Sequence, residues 1–321
     1  MEECKSKPSD YHYKEDLKMN INIPKNIVNN KTKIKRFHRQ SKLTSFDYIN
    51  YVILGIMSII TIYPFWYVLV VSFSSQQGYY NDMYHIIPKS FSLETYKYVL
   101  SNKNIFRAFG ISTFVTITGL ALSMILTSLG AYALSKKDLK GRNVFFTLII
   151  LTMFLNGGLV PWYMTINYLG IGKNILAFFV PTALNTFNLI LLKNYFEAIP
   201  ESLLESAEID GANDLQILFK IAIPVSIPIM VTIALFYAVF FWNDWFAAML
   251  FAKNQNMYPL PLLLRNMIMS SQNFMTVGFS RQLPDMVKAA VIIVSITPIM
   301  LIYPFIQKYF IKGIMLGSVK E

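Results

Sequence analysis

Residues 205–224 read Glu205-Ser206-Ala207-Glu208-Ile209-Asp210-Gly211-Ala212-Asn213-Asp214-Leu215-Gln216-Ile217-Leu218-Phe219-Lys220-Ile221-Ala222-Ile223-Pro224. Pro200, just upstream, can open a helix, because its missing N–H falls where no intrahelical partner exists. Glu201 and Glu205 sit in the first turns, where the helix dipole favours negative charge. Asp210-Gly211 is a break signal. Asn213 and Asp214 can cap a second helix, which carries Leu215, Ile217, Leu218, Phe219 and Ile221 toward Pro224. The stretch therefore predicts helix, glycine break, helix, set between two long apolar segments.

Its charge is unusual as well. From Lys193 to Lys220 there are two cations against six acids (Glu197, Glu201, Glu205, Glu208, Asp210 and Asp214), a sum of −4 in a chain of formal net charge +11. Most charge runs are solvated helix faces. A docking element for a soluble partner is the sharper account.

Everything around this loop looks like membrane. The 321 residues are 54% hydrophobic and only 15% charged, which suits a polytopic membrane protein and not a soluble domain. The single cysteine, Cys4, lies in a polar tail with no apolar run before it and reads as a free thiol. His12, His38 and His85 stand far apart, which argues against a zinc or haem site. No phosphate-cradling glycine loop with its lysine is present, since the spacing after Gly170 to Lys173 fails, so the chain is not expected to bind ATP itself.

Residues 1–47 are polar and hold eleven Lys/Arg and six acids. They read as a cytoplasmic tail and not a cleaved signal peptide. The Lys31–Lys42 cluster suits an anchor to anionic lipid better than nucleic acid. A transmembrane domain at 48–309 and a short tail at 310–321 follow. Six apolar segments are expected to span the membrane: 48–73, 108–135, 143–172, 174–192, 221–243 and 288–309. Each is long enough for roughly 30 Å of hydrocarbon. The third contains Asn156-Gly157-Gly158 and Pro161, a break that a bilayer tolerates only where protein or a water-filled cavity surrounds it. Phe91 to Tyr96, in the loop after the first segment, begins a short amphipathic helix.

Asn185 and Asn188 share a face of the fourth segment. Interhelical hydrogen bonding is the plainer account of them, and contact with sugar hydroxyls is the functional one. Trp242, Asn243 and Asp244 close the fifth segment, and Asp244 is the one acid in a deeply apolar context. With the N-terminal tail inside, inner segments carry twenty Lys/Arg against nine elsewhere, which places both termini in the cytoplasm. The acidic loop at 197–224 then faces the cytoplasm against the positive-inside trend, which strengthens the docking account.

Glu205, Ala207, Gly211, Ile221 and Pro224 together resemble the EAA motif of ABC importer membrane subunits, with Ser206 where that family usually has alanine. From about residue 44 onward the chain resembles the MalG-like subunits of carbohydrate importers, in the LplC/YtcP branch. The supporting strings are Tyr63-Pro64-Phe65, Ser72-Phe73-Ser74-Ser75, Gly157-Gly158-Leu159-Val160-Pro161, Ile199-Pro200-Glu201-Ser202-Leu203, Ile209 to Asp214, Tyr258-Pro259-Leu260 and Lys312-Gly313. The resemblance implies an all-α integral membrane fold of six transmembrane helices, that of a MalG-like type I ABC importer permease with cytoplasmic coupling helices.

The resemblance also implies that this is a transport subunit without its own nucleotide site or cofactor. ATP and Mg belong to two partner ATPase subunits. A second homologous permease subunit and an extracellular sugar-binding protein complete the assembly in the bacterial plasma membrane. Glu205, Ala207, Asp210, Gly211, Ala212, Ile221 and Pro224 are implied to couple to the ATPase, with Glu205 pairing to one of its cations. Asn185, Asn188, Trp242, Asn243 and Asp244 are candidates for the sugar path. Tyr258, Pro259 and Arg265 are candidates for contact with the binding protein. An ABC permease for a non-sugar solute is the alternative. An ion-coupled secondary transporter would need charged clusters within the spans, which Asp244 alone does not make.

Overall fold

The computed structural model describes residues 45–155, 157–269 and 285–318. The expectations for residues 1–44, including the Lys31–Lys42 cluster, and for 270–284 in the second outer loop lie outside the described residues. The chain divides into two compact units, Met1–Met57 and Ser58–Glu321. Of the first, the described part is the opening of helix α1. All described secondary structure is helical apart from one isolated bridge between Ser74 and Phe91.

Helix α1 (Ser45–Ser72) runs through Pro64 without ending, and its large apolar side chains are exposed from Phe46 to Trp66. A helix apolar on every side suits lipid or another subunit as its neighbour. Two short helices follow, α2 (Gln76–Tyr80) and α3 (Glu94–Ser101). The amphipathic helix expected to begin in Phe91–Tyr96 is α3.

Helix α4 (Lys103–Ser135) is the central element, packed against α7 (Thr186–Glu197) and α11 (Ile227–Asn243). Asn102 starts it five residues earlier than the apolar run, by accepting hydrogen bonds from the backbone N–H groups of Asn104 and Ile105. Its buried face runs Ala108, Ser112, Val115, Gly119, Ser123, Thr127 and Ala131. Small residues at helical spacing let backbones approach closely, which in lipid replaces the missing hydrophobic drive between helices. A Cβ at Gly119 would stand 3.0 Å from the Phe241 ring, and one at Gly130 would stand 3.1 Å from Leu189. Thr127 and Tyr237 join hydroxyls at 2.8 Å across the α4–α11 contact.

The third apolar segment is two helices, α5 (Arg142–Phe154) and α6 (Leu159–Tyr168), with Gly158 at φ +84° between them. The break expected at Gly157-Gly158 is present. The fourth segment differs from the expected single helix over 174–192. A 3-10 turn covers Ile175–Phe178, the chain then runs irregularly to Asn185, and only there does α7 begin. Pro181 has no N–H for a helix ladder, and Asn185 caps α7 by accepting from the Asn188 N–H at 3.1 Å.

After α8 (Glu201–Ile209) and α9 (Asp214–Ile217), the backbone passes through a π turn at Leu218–Ala222 into α10 (Ile223–Val225). It then bends by 88° into α11. The fifth span thus starts at Ile227 and not at Ile221. A proline ring clashes with the carbonyl four residues before it, so Pro224 sits where the ladder has loosened to the π register and Pro228 follows the break at Ser226. Helices α12 (Phe246–Phe251), α13 (Leu260–Met269) and α14 (Asp285–Ser318) complete the order. Among the described residues, three helices are long and apolar enough to cross a membrane, or five if each bent pair is one span.

Candidate functional site

Helix α8 ends in a left-handed glycine cap. The Ala212 N–H reaches the Ala207 carbonyl at 2.9 Å and the Gly211 N–H reaches that of Glu208 at 3.0 Å. With Gly211 at φ +83° this is the Schellman arrangement, in which two orphan carbonyls are satisfied and the chain reverses. It accounts for three motif positions at once. Ala207 is buried and gives the carbonyl, Gly211 takes the positive φ, and Ala212 is half-buried against the core. Asn213 then opens α9 with a reciprocal box. Its side chain accepts from the Gln216 N–H at 2.9 Å, and the Gln216 side chain accepts from the Asn213 N–H at 3.0 Å. Ile221 packs half-buried on the core, and Pro224 is exposed beside the π turn. Ser206, the departure from the family pattern, is exposed and donates back to the Ser202 carbonyl, so the position tolerates a small polar side chain.

The acids of this loop are mostly engaged within the chain. Lys136, at the end of α4, pairs with Glu208 at 2.8 Å and Asp214 at 3.1 Å, so one ammonium holds both arms of the hairpin. Burial alone opposes charge on Lys136, but these two carboxylates, with Tyr132 beside them, outweigh it and raise its pKa above the ordinary lysine value. Lys137 pairs with Glu201. Glu197 is held by Lys193 and Arg142. Burial, with the Arg142 charge nearby, pushes the Lys193 pKa down. Glu205 and Asp210 have no ion pair among the described residues and are exposed. The acids of the loop left without an ion pair among the described residues are therefore Glu205, in the middle of α8, and Asp210, at its C-cap.

Sequence reasoning missed the apolar half of this surface. Leu203, Ile209, Leu215 and Phe219 are exposed, Ile209 at 86%. They were legible only as helix-face residues, because their exposure depends on how α8 and α9 pack on either side of the bend at Gly211. The cations that engage the acids were visible as a cluster at 136–142, but their partners were not.

The path candidates separate. Asn185 and Asn188 line one recess of about 470 Å³ with Thr182, Phe187, Phe236 and Phe240. Trp242 lies elsewhere, buried, donating its indole N–H to the Ser295 carbonyl at 3.0 Å. Asn243 donates to the Val239 carbonyl, and Asp244 accepts from the Phe246 and Ala247 N–H groups, opening α12. Of the outer candidates, Pro259 is buried, Tyr258 packs half-buried on the core, and Arg265 lays its guanidinium 4.4 Å from the Trp245 ring centre.

An all-helical membrane bundle with a glycine-hinged acidic hairpin between two of its apolar segments defines a transporter subunit. The family model described as binding-protein-dependent transport system inner membrane component matches residues 110–315. The chain belongs to that family and is a multi-pass membrane protein. It is 42% identical over 280 residues to the polygalacturonan/rhamnogalacturonan transport system permease protein YtcP of Bacillus subtilis, covering 86% of this chain and 98% of that one. It is 39% identical to protein LplC of the same organism over 89% of this chain and 99% of that one. A chain in the crystal structure of a bacterial ABC transporter involved in the import of the acidic polysaccharide alginate superposes with a TM-score of 0.77 at 35% identity. That match covers 83% of this chain and 96% of the other.

Proposed function

We propose that this chain is a membrane-spanning subunit of an ATP-driven importer that moves a carbohydrate, an oligosaccharide or polysaccharide fragment, into the cytoplasm. The observation that carries the reading is the hairpin of α8 and α9. It presents an exposed Glu205 with no ion pair among the described residues and exposed Ile209, Leu215 and Phe219, while Lys136 ties both arms to the end of α4. A rigid, amphipathic knob of this kind transmits a push from a soluble partner into α4, the central helix of the bundle. Similarity to a polygalacturonan/rhamnogalacturonan transport permease and to a chain of an ABC transporter that imports alginate, over more than four-fifths of this chain, supports carbohydrate as the cargo.

In this reading the hairpin sits in the cytoplasm, as do both termini, and rests in a groove of an ATPase. ATP and Mg bind that partner, which is present in two copies. Closure of the two ATPase subunits carries the hairpin with it and rocks this chain against a second, homologous permease subunit. An extracellular binding protein delivers the sugar on the opposite side, where Tyr258, Pro259 and Arg265 are the contact candidates. The test is ATP hydrolysis by the purified complex with its binding protein across a panel of oligosaccharides. Stimulation by one sugar class is expected. A flat response to every sugar from a complex that responds to peptides or other solutes would overturn the carbohydrate assignment.

A further inference from the structure

The recess beside α7 has features that ordinary helix packing does not need. Asn188, only 5% exposed, is among its lining residues, and its backbone N–H donates to the Asn185 side chain. Asn185 stands at the rim, and Thr182 Oγ1 is buried in the wall without a partner among the described residues. Phe187, Phe236 and Phe240 supply much of the apolar surface and are exposed. The backbone from Phe179 to Asn185 is irregular here, inside a segment whose sequence is apolar enough to span.

Irregular backbone in a membrane protein persists only where protein or a water-filled cavity surrounds it, and here the unpartnered Thr182 hydroxyl lies beside a cavity. The recess is also held open by design of the packing. The Tyr237 hydroxyl joins Thr127 of α4 at 2.8 Å and accepts the Asn185 N–H at 3.0 Å, so the rim is fixed to two helices at once.

We propose that this recess is a sugar-ring subsite contributed by this chain itself to the translocation path. The proposal rests on the carbohydrate reading above. The phenyl faces meet the C–H face of a pyranose ring, and Asn188, Asn185 and Thr182 take its hydroxyls. No acidic or basic side chain lines the recess. It therefore grips rings and hydroxyls and gives no counter-charge to a uronate carboxylate, so it accepts acidic and neutral glycans alike. Selection for acidic sugars, where present, falls to other parts of the complex. Tyr237 is a positioning residue, acting through Asn185.

The experiment uses the full complex in proteoliposomes, with its binding protein, and measures uptake of labelled galacturonate trimer and of an uncharged galactose trimer. Asn188→Leu keeps the side-chain size and removes the amide. Phe240→Ala acts at an exposed position and leaves the fold alone. Each is expected to assemble with its partners, hydrolyse ATP at the basal rate, and raise the half-saturating sugar concentration for both trimers about three- to tenfold, the scale of one lost neutral hydrogen bond or ring contact. Unchanged uptake in both variants would overturn the subsite. So would loss of assembly in Phe240→Ala, which would make the recess a subunit contact, or an effect on the acidic trimer alone. If the wild-type complex carries some other solute but neither trimer nor any other sugar, the carbohydrate reading fails and the subsite falls with it.

Discussion

Gly211 is the position where a single atom matters most. At φ +83° an L-residue is strained by roughly 1–2 kcal/mol, and more when β-branched. The space around it within this chain is open, so the constraint is the backbone and not crowding. Gly211→Val is expected to leave the protein in the membrane with its partners while sugar uptake per ATP hydrolysed falls steeply. Normal coupling in that variant would rule out the hinge. Glu205 makes a different prediction. Because it has no ion pair among the described residues, reversing it should spare the permease and damage only the docked surface. Glu205→Lys is expected to lower the amount of ATPase that co-purifies, with the melting temperature of the isolated permease unchanged. Unaltered co-purification would remove Glu205 from the interface.

At the scale of elements, the hairpin is fastened as well as hinged. Lys136 reaches from α4 to both α8 and α9. Partly exposed pairs of this kind contribute about 1 kcal/mol or less each, so their worth is in geometry. Lys136→Ala is expected to cost little stability and to loosen transmission. Basal ATP hydrolysis should persist while uptake per ATP drops severalfold, as a comparison of the two rates on one preparation would show. Equal coupling ratios for variant and parent would mean that the hairpin transmits through the apolar contacts of Ala207 and Ile217 alone. The raised pKa of Lys136 fixes the sign of its pH dependence. Its contribution is complete below the ordinary lysine value and is lost only as pH rises through the higher folded one.

At the scale of the whole molecule, the bundle depends on how near α4 comes to its neighbours. Gly119→Leu drives a side chain into the Phe241 ring, 3.0 Å from where its Cβ would stand. Overpacking of this kind costs about 1–3 kcal/mol, and the expected result is a lower melting temperature of the protein in detergent. A tolerated leucine would show that α4 and α11 can separate freely. Much of this architecture was legible in the chain. Apolar runs longer than a bilayer, the glycine break before Leu159 and the Ala207–Gly211 spacing are local, and local chemistry sets them: hydropathy, φ freedom and capping. The fourth span was misread as one helix over 174–192 because hydropathy is blind to backbone. Pro181 and the Asn185 cap decided it, and the irregular strip ends at Asn185, which lines a recess together with Asn188. The sequence by itself determined that the chain is a helical membrane bundle carrying a hinged acidic hairpin. Only the tertiary structure decided which acids are engaged, since Lys136, Lys137 and Arg142 meet them across more than fifty residues of chain. It also decided that Asn185 and Asn188 line one recess while Asp244 is engaged in capping α12, because burial belongs to the arrangement of helices and not to any residue alone.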